Sequence, residues 1–162
     1  MTAEPWYRDR GALRFIALRY LPIFAVLSLA WEWAHVRLYT IWTEAQLSYI
    51  AFSVAHCTLG DVLIGTAGLV LALILARERR LNEWHGRRIA ILSALIGVAY
   101  TAFSEWMNIT ILRAWKYAPA MPTLSIGDFE LGLTPLAQWL VIPPLALYLA
   151  LRSIRSATLR PG

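Results

Sequence analysis

Apolar residues fall into four long runs along the chain, separated by shorter polar stretches. A helix needs about 20 predominantly apolar residues to cross a bilayer. Runs of that length cover residues 16–38, 49–76, 89–112 and 131–151. The pattern predicts an all-α protein: a four-helix transmembrane bundle forming a single integral membrane domain over residues 1–162. Pro22 in the first run and Pro143–Pro144 in the fourth predict kinks, because each proline frees a backbone carbonyl one turn back. Gly60, Gly65 and Gly68 predict a face of the second helix that a neighbour can approach closely.

Composition strengthens this reading. Hydrophobic residues make up 59% of the chain and charged residues only 15%, against roughly 25% charged in an ordinary soluble domain. Eight Trp and seven Tyr suit membrane interfaces, where one end of the ring is dry and the other wet. The net charge of +5 would also suit nucleic acid. However, the basic residues are grouped between apolar runs rather than along one amphipathic face. The expected partner is therefore the lipid bilayer and not nucleic acid. Cys57 is the single cysteine, so no disulfide can form within the chain.

The basic residues also predict an orientation. Arg8, Arg10, Arg14 and Arg19 precede or open the first run, and Arg77, Arg79, Arg80, Arg87 and Arg88 fill the loop between the second and third. Arg152, Arg155 and Arg160 follow the fourth, leaving only Arg37, Arg113 and Lys116 for the other side. The positive-inside rule then puts both termini in the cytoplasm. One rival reading treats residues 21–30, ending in Ser-Leu-Ala, as a cleavable signal segment. Against it, the apolar run continues past Ala30, and Trp31 and Trp33 read as interface anchors.

Within this topology the polar residues of the runs share a depth. Counted at about 1.5 Å per residue, Glu32, His56, Glu105 and Gln138 all lie near 10 Å beneath the outer face. His35 and Asn108 sit one turn shallower, and Asp61 sits deeper. Ser28, Glu32, His35 and Tyr39 form one helical stripe, and Thr101, Glu105 and Asn108 form another. His56 and Asp61 are five apart, about 140° around an ideal helix, so both reach one centre only if the helix distorts or a cavity has two walls.

Ionisable groups at such depths are costly and usually face the bundle interior. The Glu-x-x-His at Glu32 and His35 has the spacing used for metal ligation in helical bundles. With His56, Asp61 and Glu105 it predicts a metal or cation site, with Asn108, Gln138 and Cys57 around it and zinc, copper, manganese or iron as occupants. His35 and His56 would alternatively ligate a haem b. Glu32 or Glu105 would be the general base of a membrane-embedded reaction on metal-bound water. The competing class is an accessory or structural subunit, in which the same residues are hydrogen bonds between helices. Transport would require a homo-oligomer or a membrane partner, since four spans are few.

The stretch 113–130 is long for a connection between bundle helices. It carries Trp115 and Tyr117, prolines at 119 and 122, and a Gly-Asp turn at Gly127–Asp128. It predicts an ordered loop at the outer surface, either a lid over the polar cluster or an interfacial anchor.

The strings HCTLGD (56–61), FSEWMN (103–108), WKYAPAMP (115–122) and GLTPLAQW (132–139) resemble those of uncharacterised small four-span bacterial inner-membrane proteins. The resemblance covers most of the chain. It implies a bacterial inner membrane with the outer side facing the periplasm, and it implies no activity.

Overall fold

The computed structural model describes residues 5–158. Four helices are long and apolar enough to cross a membrane: Arg10–Leu38, Leu47–Leu75, Gly86–Ile111 and Leu133–Ile154, here spans one to four. Each span packs on its sequence neighbour, and span four returns to span one, closing a four-membered ring. The exposed circumference is a belt of large apolar side chains, among them Leu18, Val26, Leu63 and Leu140. Lipid is the solvent that such a surface suits.

Span one starts six residues before its apolar run because Asp9 caps it. The Asp9 Oδ1 accepts the Gly11 N–H at 2.8 Å, satisfying one of the orphan donors of the first turn. Its distortion at Pro22 takes the form of a π-wound turn, Ile16–Tyr20, closed by the Leu21 N–H on the Ile16 carbonyl. The wider turn relieves the clash that a proline ring makes with the carbonyl four residues back. Span four runs continuously past Pro143 and Pro144. Spans two and three are each followed by an arginine in the left-handed region, Arg77 (φ 56°) and Arg113 (φ 50°).

The apolar core is built from Phe15, Tyr20, Phe24, Leu69, Leu73, Ile89, Trp139 and Leu147. Two glycines allow its closest approaches. A methyl at Gly65 would collide with the Phe24 ring, and one at Gly97 with the Trp139 indole. Gly68 faces Ile96 and Ser93, whereas Gly60 meets nothing within 4 Å. Of the three glycines expected at a close contact, Gly65 and Gly68 are there and Gly60 is not.

The two ends of the bundle differ. At one end the loop after span three folds into an antiparallel hairpin of β1 (Thr123–Ile126) and β2 (Phe129–Gly132). Gly127 opens its two-residue turn with φ +60°, a conformation that costs glycine little. The loop between spans one and two is stitched to this segment. The Thr40 N–H donates to the Lys116 carbonyl at 3.0 Å, and the Ala118 N–H to the Leu38 carbonyl at 2.8 Å. At the other end the start of span one, the loop between spans two and three and the end of span four converge around Arg8, Arg10, Arg80, Arg87 and Arg152. The arginine-bearing segments thus share one end.

Asp9 ties that end together, since its Oδ2 also accepts the Leu81 N–H at 3.0 Å. The Leu81 amide, above all, holds the Asp9 carboxyl below its usual range. A carboxylate with a lowered folded value contributes stability above its unfolded value, and loses it as pH falls through the folded one. The protection factor of the Leu81 amide in hydrogen exchange is therefore expected to hold at neutral pH. It should fall once the pH drops below about 4, the ordinary aspartate range. Constant protection down to pH 2 would show that this tether contributes nothing.

Candidate functional site

Beneath the hairpin, three spans turn polar side chains inward. On span one Ser28, Glu32 and His35 are buried, spaced four and three residues apart on one helical face. On span three Thr101 and Glu105 are buried four apart, and Gln138 is buried on span four. Asp61 of span two reaches across the ring, where the Gln138 Nε2 donates to its Oδ2 at 2.6 Å. Glu32 lies within electrostatic range of Asp61 and Glu105, and His35 within range of Glu105. Four of the expected residues, Glu32, His35, Asp61 and Glu105, therefore share one interior.

Their partners differ. Glu105 accepts a hydrogen bond from the Tyr117 hydroxyl, and that same hydroxyl accepts the Gly132 N–H at 2.9 Å. A methyl at Gly132 would press on the Tyr117 ring. Tyr117 is thus a clamp that ties both edges of the hairpin segment to span three. Burial, and next the bond to Glu105, raise the Tyr117 phenol above its usual value. Burial chiefly, then the Glu105 charge, does the same to Tyr39. Both phenols therefore stay protonated near neutral pH.

His35 has no such partner. It is 8% exposed, and neither ring nitrogen makes a hydrogen bond to the described residues. Its Nδ1 stands 3.6 Å from the Glu32 Oε1, beyond hydrogen-bond distance. The Tyr39 ring meets its edge at 5.2 Å. Two orphaned nitrogens on a buried imidazole are costly, because each forgoes the hydrogen bond it made in water. The nearby Trp115 Nε1 is also buried without a partner.

The remaining expected residues are less closely engaged. His56 is exposed and stacks on Phe52 of its own helix at 5.9 Å; Cys57 is exposed too, but its thiol lies within electrostatic range of Glu32, Asp61 and Glu105. Span two runs as unbroken α-helix through this region, so its 100° per residue carries His56 away from Asp61. Asn108 turns back on its own helix, its Nδ2 donating to the Ser104 carbonyl at 2.8 Å and to the Ser104 Oγ at 3.2 Å. Among the described residues no three His, Cys, Asp or Glu side chains are grouped as a metal ion would need.

Pattern reading did not find the Tyr117–Glu105–Gly132 clamp or the Gly97–Trp139 contact. For Gly97 a signal exists, since Gly97, Thr101 and Glu105 continue one stripe at intervals of four. For the hairpin the signal is the alternation of Leu124, Ile126, Phe129 and Leu131 about a Gly-Asp pair. For the clamp there is none, because Tyr117 reaches Glu105 only along the folded path of the loop. Compared with known proteins, the chain matches no protein family, no curated protein and no solved structure.

Proposed function

We propose that this multi-pass protein binds a cation in the carboxylate–imidazole cluster of Glu32, His35, Asp61 and Glu105. We place it in a bacterial inner membrane, with its termini in the cytoplasm and the hairpin facing the periplasm. The observation that carries this reading is the buried Glu32–His35 pair with its two unpartnered imidazole nitrogens. Two further carboxylates stand within electrostatic range, and among the described residues no Lys or Arg is ion-paired to any of the three. A cation is the missing counter-charge for such a group in a low-dielectric interior. With His56 exposed on its own helix face, the central donors are carboxylate oxygens and one imidazole, and the Cys57 thiol stands at their edge. That set suits manganese, iron or zinc better than copper(I).

Binding a metal would draw Glu32, His35 and Glu105 together, and the Tyr117 bond to Glu105 is the contact that such a movement opens. Cation entry and hairpin release are then one event. A second reading is favoured by the bonds from Gln138 to Asp61 and from Tyr117 to Glu105. In it the cluster only holds helices and hairpin together, in an accessory or structural subunit.

Metal uptake separates the two. The detergent-purified protein is dialysed against manganese, iron(II) or zinc, and its metal content is read by multi-element mass spectrometry. About one ion per chain is expected. Glu32→Gln and His35→Ala should weaken uptake by about tenfold or more, and His56→Ala should leave it unchanged. No uptake by the unaltered protein, or equal uptake by all variants, would remove the cation reading and leave the structural one.

A further inference from the structure

The arginine end holds a cavity that the cation reading does not use. Its volume is about 1300 Å³, and it opens between the starts of spans one and three, the loop joining spans two and three, and the end of span four. That exceeds the roughly 300–1,000 Å³ of ordinary small-molecule pockets. Arg8, Arg10, Arg80, Arg87 and Arg152 line its rim, all of them exposed. The acid among the lining residues, Asp9, has one oxygen on the Gly11 amide and the other on the Leu81 amide. Its carboxylate is therefore engaged by backbone, and the rim keeps a strong positive excess.

Below the rim the wall changes character. Pro144, Leu147 and Leu151 of span four and Ala90 of span three form an apolar side. From Pro144 to Ile154 it runs about 15 Å along the helix axis. Trp84 and Tyr148 also line the cavity, residue types that favour the headgroup level of a membrane. The Trp84 indole donates to the Arg79 carbonyl at 3.1 Å, which fixes the ring in the loop. A free phosphate or nucleotide would match the rim but leave the apolar wall uncovered. A buried acyl chain alone would match the wall but offer nothing to the positive rim.

We propose that this cavity binds one anionic phospholipid from the surrounding leaflet, its phosphate on the arginines and its upper acyl chain along span four. The rim supplies the charge, and bidentate guanidinium–phosphate contacts supply geometric specificity. The depth of the apolar wall selects a lipid over a soluble anion. The site lies at the opposite end of the bundle from the Glu32–His35 pair, so the proposal stands independently of the cation reading.

The test uses the whole chain, delipidated in mild detergent and offered equal amounts of phosphatidylglycerol and phosphatidylcholine with identical acyl chains. Native mass spectrometry then counts the retained lipids. Phosphatidylglycerol is expected to be retained over phosphatidylcholine by about tenfold or more. Arg80→Gln/Arg87→Gln should reduce that preference toward unity, while Arg113→Gln, at the hairpin end, should leave it intact. Size-exclusion profiles confirm that each variant stays folded. Because Arg→Gln leaves the apolar wall in place, Leu147→Asn supplies a second variant that weakens total lipid retention with the rim unaltered. No preference in the unaltered protein, or equal loss in Arg113→Gln, overturns the proposal. Displacement of the lipid by millimolar inorganic phosphate overturns it too, since the site would then belong to a soluble anion.

Discussion

Gly97→Val is expected to be among the most damaging single changes in this bundle. A Cβ at position 97 falls on the Trp139 indole, which is 3% exposed. Trp139 packs against Phe24 at 6.2 Å between ring centres, and Phe24 in turn fills the notch left by Gly65. The insertion therefore passes through one continuous row of rings, from span three to span four, span one and span two. Overpacking of a tight core typically costs about 1–3 kcal/mol, and more where backbone must shift. The contact at Gly97 is to the body of a buried ring rather than to a flexible tip, so the upper end of that range is expected. Gln138 precedes Trp139, so its bond to Asp61 should weaken as well. Reversible unfolding in mixed micelles would measure the loss. Gly60→Ala is the control: with nothing within 4 Å, it should be neutral or stabilising by up to about 1 kcal/mol. If the two variants unfold alike, the close approach at Gly97 is not holding the bundle.

Tyr117→Phe should release the hairpin while leaving the spans in place. The substitution keeps the ring and removes one oxygen, which serves as donor to Glu105 and acceptor for the Gly132 N–H. Both groups are then left without their partner. An unsatisfied buried group costs about 1–3 kcal/mol, so losing two partners should lower the hairpin's closed-to-open ratio by about thirtyfold or more. Faster amide exchange at Gly132 and faster proteolytic cleavage within residues 118–132 would report it. Unfolding of the four spans should change much less. Unchanged exchange at Gly132 would mean that the stitching at Thr40–Lys116 and Leu38–Ala118 holds the segment by itself. Under the cation reading the same variant also frees Glu105, so metal exchange should quicken alongside hairpin opening. Quickened opening with unaltered metal exchange would identify the hairpin as an anchor rather than a lid.

What could be read from the pattern of residues has a common physical origin. The bilayer imposes a length and an apolar composition on each crossing segment, so the four spans were legible to within a few residues. The segregation of arginines was legible too, and the structure gathers Arg8, Arg10, Arg80, Arg87 and Arg152 at one end. The inward stripe of Ser28, Glu32 and His35 followed from helical periodicity alone. These are local or one-dimensional properties, which do not depend on how the helices pack.

The tertiary structure decided everything that needed a second element. Helical phase set His56 off from Asp61, but only packing determined that Asp61 faces Gln138 while His56 faces outward onto Phe52. Asn108 shared a stripe with Glu105, yet its amide bonds to Ser104 instead of crossing to a neighbour. Tyr117 lies twelve residues beyond Glu105 and fifteen before Gly132, and only the path of the loop brings the three together. The sequence by itself thus determined that the chain is a four-span bundle with carboxylates and an imidazole at similar depths. Which of those groups meet was decided by helix rotation and by the close approaches at Gly65 and Gly97, because side-chain contacts across a bundle depend on angles and distances between helices that no single helix encodes.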